Sequence, residues 1–261
     1  MFKDSLGDRM KGYYENAYRN YLTRRTPVII RIDGKAFHTF TRGLEKPYDM
    51  IFKKAMWKTT VYLCENIQNA RIGYVQSDEI SILLIDYNKF TTSAWFDNNI
   101  QKMCSVSASM ATMAFNKYFM EELYEYLETN DMSDEKFAIY ESKLNGAMFD
   151  SRVFNLPESE VCNYFIWRQN DATRNSIELL GREYFSAKEL HKVNCNQIQD
   201  KLMTEKNVNW NDCPTFFKRG ACAYKKVNEE ENCSAVSIDL EIPIFTQDRN
   251  FIEKHLEIVD K

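Results

Sequence analysis

Histidine, proline and glycine are all scarce in this 261-residue sequence, and each shortage removes a class of protein. The three histidines, His38, His191 and His255, are too few and too scattered for a histidine-built metal centre, so any metal is expected on oxygen ligands. Five prolines and eight glycines leave no stretch that reads as a flexible linker. The seven cysteines (Cys64, Cys104, Cys162, Cys195, Cys213, Cys222 and Cys233) are odd in number and lack a C-x-x-C pair, which excludes a disulfide framework and a zinc ribbon. No run of about 18 uncharged apolar residues is present, and the N-terminus, MFKDSLGDRMKGYYENAY, has no apolar signal core. A soluble cytoplasmic protein with no membrane association is expected. A basic excess is missing too: the net charge is −4, so any hold on nucleic acid must come from local patches. Candidates are Arg24 with Arg25, Lys188 with Lys192, Lys218 with Arg219, and Lys225 with Lys226, each of which taken singly reads as a solvated face.

What is present is a large apolar and aromatic fraction, 44% and 14%, enough for one substantial core. After a polar, aromatic helix near 7–22, VIIRID reads as a buried strand ending at Asp33-Gly34. A helix follows near 48–69. IGYVQ and ISILLID then read as two strands around the short acidic turn Ser77-Asp78-Glu79. A helix near 98–128 carries Met103, Val106, Met110, Met113 and Ala114 as its expected core stripe, and AMFDSRVFNLP reads as a fourth strand. This β-α-β-β-α-β order is the split arrangement of an α+β, ferredoxin-like domain. Two helices near 158–181 and 186–205, a hairpin built from TFFKRGACAYKK and SAVSIDLEI, and a short C-terminal helix in FIEKHLEIV complete the chain. Residues 1–157 are read as the catalytic part and 158–261 as an extension packed on it as one continuous unit, with an exposed acidic loop at 228–232.

In this arrangement the third strand lies antiparallel beside the first, which brings Asp33 next to Asp78 and Glu79. Packed carboxylates stay charged most readily around a divalent cation, and small, hard Mg²⁺ suits such oxygen ligands. Gly34 permits a close main-chain approach. The plain alternative is a strand-ending turn and an ordinary hairpin loop.

The residues RIDGKAFHTF (31–40), EKPYD (45–49), YVQSDEIS (74–81), KMCSVSASMA (102–111), FDSRVF (149–154), NYFIWRQNDATRNSI (163–177) and NWNDCPTFFKRG (209–220) stand in the order of one family's landmarks. Over 1–225 the chain resembles the tRNA-His guanylyltransferases. That resemblance implies a polymerase-type palm and a 3′-to-5′ nucleotidyltransferase acting on the 5′ end of tRNA with two Mg²⁺ ions, GTP and other nucleoside triphosphates, and ATP for 5′ activation. It implies a homotetramer as well. Carried over by position, Asp33, the Gly34 main chain and Asp78 would be metal ligands, and Glu79 would join Asp33 and Asp78 as a catalytic acid with a less defined role. Lys35, Ala36, Phe37, His38, Lys46, Ser77 and Lys102 would bind nucleotide, and Arg152, Arg168, Gln169, Arg174, Asn175, Lys218 and Arg219 would meet tRNA or phosphate. Trp167 reads as core. Members that add one guanosine to tRNA-His carry His-Ile-Asn-Asn where this chain has Thr173-Arg174-Asn175-Ser176. The departure resembles the guanylyltransferase-like branch, whose implied activity is template-dependent repair of 5′-truncated tRNA. Two rivals remain: a palm-type nucleotide cyclase, for which no glycine-glycine-acid turn is found, and a tRNA-binding protein without catalysis.

Overall fold

The computed structural model describes residues 5–228 and 233–258, so residues 229–232 of the expected acidic loop lie outside the described residues. The N-terminal segment begins with α1 (Ser5–Met10), then widens over Lys11–Glu15 and tightens over Asn16–Tyr18; none of its residues is buried. One even helix over 7–22 is therefore not formed, as expected of a segment with Gly12 inside it and no packed face to hold it.

Strand β1 (Val28–Gly34) alternates in a way that decides where the site lies. Val28, Ile30 and Ile32 point into one core, while the opposite face starts with buried Ile29 and then turns polar at Arg31 and Asp33. The single-turn α2 (Phe37–Phe40) leads to α3 (Met50–Asn66), which Asp49 caps by accepting the Phe52 N–H at 2.8 Å. Next come β2 (Ala70–Gln76), β3 (Glu79–Leu84) and the long α4 (Ile100–Thr129), whose cap is Asn99. A helix not expected from the sequence, α5 (Asp134–Glu141), starts where the Ser133 hydroxyl accepts the Lys136 N–H. Then follow β4 (Phe149–Asn155), α6 (Glu158–Tyr184), α7 (Cys195–Lys206), α8 (Thr215–Arg219), β5 (Ala221–Asn228), β6 (Cys233–Asp239) and α9 (Asn250–Glu253). The TFFKR segment, expected in the hairpin, is thus the helix that precedes it. Of the helix expected over 186–205, only the part after the Asn194–Gln197 capping box forms.

The strands form one antiparallel sheet in the order β4-β1-β3-β2-β5-β6. Its first four strands have the expected ferredoxin-like order, and the C-terminal hairpin extends the same sheet through β2. Helices α3 and α4 cover one face over Ile30, Ile32, Ile80 and Ile82. The other face is covered by α6 and α9 over Ile29, Tyr74 and Leu83, and a third cluster joins the end of α6 to α7 and α8 through Leu180, Leu202 and Phe217. Two expected core residues are at the surface: Met113 is 54% exposed and Trp167 53%. The inner stripe of α4 runs instead through Met103, Ser107, Ala111, Ala114 and Phe115, where small side chains let the helix lie close to the sheet.

Candidate active site

The polar face of β1 ends at one edge of the cover provided by α6, and three strands deliver acids there. Asp33 stands opposite Glu79 of β3 on one side and Asp150 of β4 on the other. The two-residue turn from β2 to β3 adds Asp78, and the Gly34 N–H donates to the Asp78 carbonyl at 3.1 Å, tying the turn to the end of β1. Ser77 takes a positive φ of 49°, the geometry a tight hairpin turn requires at its first position. Holding a serine there is the kind of local strain that collects at functional sites. Gly34 has its own constraint, because a Cβ would overlap the Phe37 ring.

Burial raises the Asp78 carboxyl above the ordinary aspartate range; the Ser77 hydroxyl opposes the rise, the charge of Asp33 adds to it, and Lys53 draws it back. A carboxylate so placed gains from a bound cation. The donor set, two carboxylates and a main-chain carbonyl, is all oxygen and fits Mg²⁺, which takes one or two protein carboxylates and fills its shell with phosphate and water. Among the described residues no three His, Cys, Asp or Glu side chains converge into a closed metal cage.

Glu79 has a different role from the one its position in the motif implies. It is 4% exposed, and both of its oxygens are taken. Arg31 donates to Oε2 from Nε (2.9 Å) and Nη2 (2.6 Å), while Arg168 donates to Oε1 from Nε (2.6 Å) and to Oε2 from Nη2 (2.9 Å). Trp167 lies against both guanidiniums, its ring centre 4.4 Å from the Arg168 Cζ and 5.7 Å from that of Arg31. Glu79 therefore positions two arginines and offers nothing to a metal. Arg168, expected to meet tRNA or phosphate, is buried and also bonds Asp171 at 2.9 Å, so its described contacts lie within the chain. Gln169 is corrected likewise: its amide donates to the Pro243 carbonyl and accepts the Phe245 N–H, fastening α6 to the C-terminal segment.

The residues expected to bind nucleotide divide into three groups. Lys46 and Ser77 line one cleft with Pro47 and Lys53. Lys35, Ala36 and His38 are exposed beside the end of β1, with Ala36 in the left-handed region (φ 56°). Phe37 is core, surrounded by Phe40, Phe52, Phe115 and Phe149, so its side chain is unavailable to a ligand. Lys102 lies elsewhere. Thr112 of α4 accepts the Phe149 N–H, level with Gly34, and Lys102 is ten residues nearer the helix start, about 15 Å along the axis.

Among the residues expected to meet RNA, Arg152 is exposed and pairs with Asp150 at 3.3 Å, and exposed Arg174 pairs with Asp171. Asn175 lines the cavity on the far side of Ser77. The Lys218 ammonium donates to the Asn211 carbonyl and faces Trp210, whereas the buried Nε of Arg219 has no hydrogen-bond partner among the described residues. Two residues escaped the sequence reading. Asp150 could have been found from the pairing of the strand that ends at Gly34 with the one that begins at Phe149. Lys53 carried no signal, being one lysine of a Lys53-Lys54 pair on an amphipathic helix.

An antiparallel sheet that presents paired carboxylates beside a cleft lined by lysines and a serine defines a phosphate-transferring enzyme of the nucleotidyltransferase class. The model of the tRNA-His guanylyltransferase (Thg1) family matches residues 7–157, more than half of the chain, and the chain belongs to that family. It is similar to a bacterial tRNA-His guanylyltransferase-like protein solved in complex with ATP, at 48% identity and a TM-score of 0.83 over 97% of this chain and 100% of the other. A bacterial structure with GTP gives 45% identity and a TM-score of 0.79 over 97% of this chain and 99% of that one. The Saccharomyces cerevisiae enzyme, at 19% identity, a TM-score of 0.64 and coverage of 90% and 98%, shares the fold. In sequence, an uncharacterized protein of Acanthamoeba polyphaga mimivirus is 29% identical, with 94% of this chain and 86% of the relative aligned. A probable tRNA-His guanylyltransferase of Dictyostelium discoideum is 25% identical over 78% of this chain and 77% of its own length.

Proposed function

We propose that this chain adds nucleotides to the 5′ end of tRNA in the 3′-to-5′ direction, choosing each by pairing with the opposite strand of the acceptor stem. The observation that carries the reading is the Asp33–Asp78 juxtaposition, fixed by the Gly34 to Asp78 hydrogen bond and set beside the cleft of Lys46 and Ser77. Likeness to bacterial proteins bound to ATP and to GTP supports nucleoside triphosphates as substrates. Thr173-Arg174-Asn175-Ser176, in place of a histidine-bearing stretch, supports the repair branch over strict guanosine addition to one tRNA.

Asp33, the Gly34 carbonyl and Asp78 would hold two Mg²⁺ ions, whose chemistry when bound is to neutralise phosphate charge and acidify an attacking hydroxyl. Lys46 and Ser77 bind triphosphate oxygens by charge and hydrogen bond, and His38 lies where a base can meet it. Arg152, Arg174, Lys218 and Arg219 follow the RNA backbone, which fixes register without reading sequence. The buried Arg31–Glu79–Arg168 cluster keeps the sheet and α6 rigid under the acids. ATP would activate a 5′-monophosphate end, and a 5′-triphosphate end would need no activation. Assembly as a homotetramer in the cytoplasm, with the mass measurable by light scattering, belongs to the same proposal. Its direct test is Asp33→Ala, which should abolish addition while thermal unfolding and tRNA binding stay close to those of the parent. Retained addition would overturn the metal assignment.

A further inference from the structure

Lys53 lies in the first turn of α3, its N–H bonded to the carbonyl of the capping Asp49 at 2.9 Å. It lines both cavities that flank Ser77, sharing Pro47 and Leu179 with each. One cavity continues to Lys46, the other to Asn175 and Phe216. The remaining lysines on this part of α3 are paired: Lys54 and Lys58 with buried Glu122, and Lys58 with Glu125 as well. Lys53 forms no ion pair among the described residues, although it is only partly exposed. The cavity wall does contain two acids, but both are engaged. Asp49 accepts the N–H groups of Phe52 and Glu45 and the Tyr140 hydroxyl, and Glu45 pairs with Lys136. Asp78 is the acid whose charge reaches Lys53.

A half-buried ammonium with no anion at its tip is unfavourable in isolation. Burial lowers Lys53 to about 8, with the charge of Asp78 opposing the fall. No described residue supplies an anion at that tip, and a partner reaching it past Ser77 and Lys46 needs enough negative charge to occupy two lysines. The geometry points to Lys53 as the residue that holds the terminal phosphates of the triphosphate whose α-phosphorus is attacked beside Asp78. The inference rests on the nucleotidyl-transfer reading above and adds to it the residue that receives the leaving group. In that step a bond forms from the attacking oxygen to the α-phosphorus, and the bond from that phosphorus to the bridging oxygen breaks. The electron pair leaves with pyrophosphate; where the attacking group is a hydroxyl, its proton passes to water. Lys53 and Lys46 then hold the charge that gathers on pyrophosphate.

The test is equilibrium binding of ATP, inorganic pyrophosphate and AMP to the full chain with Mg²⁺ present, comparing the parent with Lys53→Ala and Lys53→Arg. Loss of one charge-assisted contact should weaken ATP and pyrophosphate by about tenfold or more in Lys53→Ala. AMP, which lacks the terminal phosphates, should bind all three proteins alike, and Lys53→Arg should retain most of the affinity for ATP. A residue that merely balanced the charge of Asp78 would not separate ATP from AMP. Equal binding of ATP and pyrophosphate to the parent and to Lys53→Ala would overturn the inference and leave the nucleotidyl-transfer reading intact. A parent protein that binds neither ATP nor pyrophosphate would overturn both.

Discussion

Asp78 and Glu79 are neighbours in one motif and meet opposite surroundings. Asp78 stands on the turn beside Asp33 with an electrostatic link to Lys53, whereas Glu79 is the first residue of β3 and points under α6 into two guanidiniums. Breaking a buried ion pair leaves uncompensated charge, so Glu79→Gln should destabilise the fold by about 3 kcal/mol in urea unfolding. Asp33→Ala should leave stability nearly unchanged. An unchanged unfolding midpoint in Glu79→Gln would contradict the structural role. The sequence placed both acids at the same point in space, and that was correct; it could not separate their roles. The difference depends on Arg168, 89 residues further along the chain. Phe37 illustrates the same limit: the resemblance put it among residues expected to bind nucleotide, and its ring packs among Phe40, Phe52, Phe115 and Phe149.

Elements with strong periodicity were legible, and those governed by close packing were not. The β-branched run of β1 and the apolar strands around Ser77-Asp78 gave the sheet order because alternation fixes both face and register. In α4 the large methionines drew attention, yet Met113 faces outward while Ser107 and Ala111 face the sheet. Trp167, expected in the core, is instead a surface cover over Arg31 and Arg168. Near the C-terminal end, His255 packs edge-on against Tyr224, and its buried Nε2 has no hydrogen-bond partner among the described residues. Burial, with Lys254 and Arg71 adding to it, lowers His255 to about 4. A histidine depressed in the fold adds stability that is complete above its unfolded value, about 6.5, and is lost as pH falls toward 4. Thermal melting should therefore drop between about pH 6.5 and 4, and His255→Gln should flatten that part of the profile. An identical slope in the variant would show that other groups govern the acid limb.

For the whole molecule, the net charge of −4 sets the terms on which it can hold RNA. One member of each of two basic patches visible in the sequence is paired within the chain, Arg24 with Asp97 and Lys226 with Asp239. The cations near the acids are few and local: Lys46 and Lys53 line the cleft, and Arg152 and Arg174 are exposed, each paired with an aspartate. Such an arrangement suits a protein that grips one end of a duplex and leaves base choice to the opposite strand. The most direct test is a sequencing-gel assay with a tRNA transcript lacking its first 5′ nucleotide, carrying either a 5′-triphosphate or a 5′-monophosphate. Each nucleotide is supplied singly with Mg²⁺, with ATP added for the monophosphate, and Asp78→Ala is run beside the parent. The account predicts addition only of the nucleotide complementary to the opposing base, dependence on ATP at the monophosphate end alone, and no addition by the variant. Tight binding of tRNA without extension at either end would contradict it and identify a tRNA-binding protein that retains the acids without the chemistry.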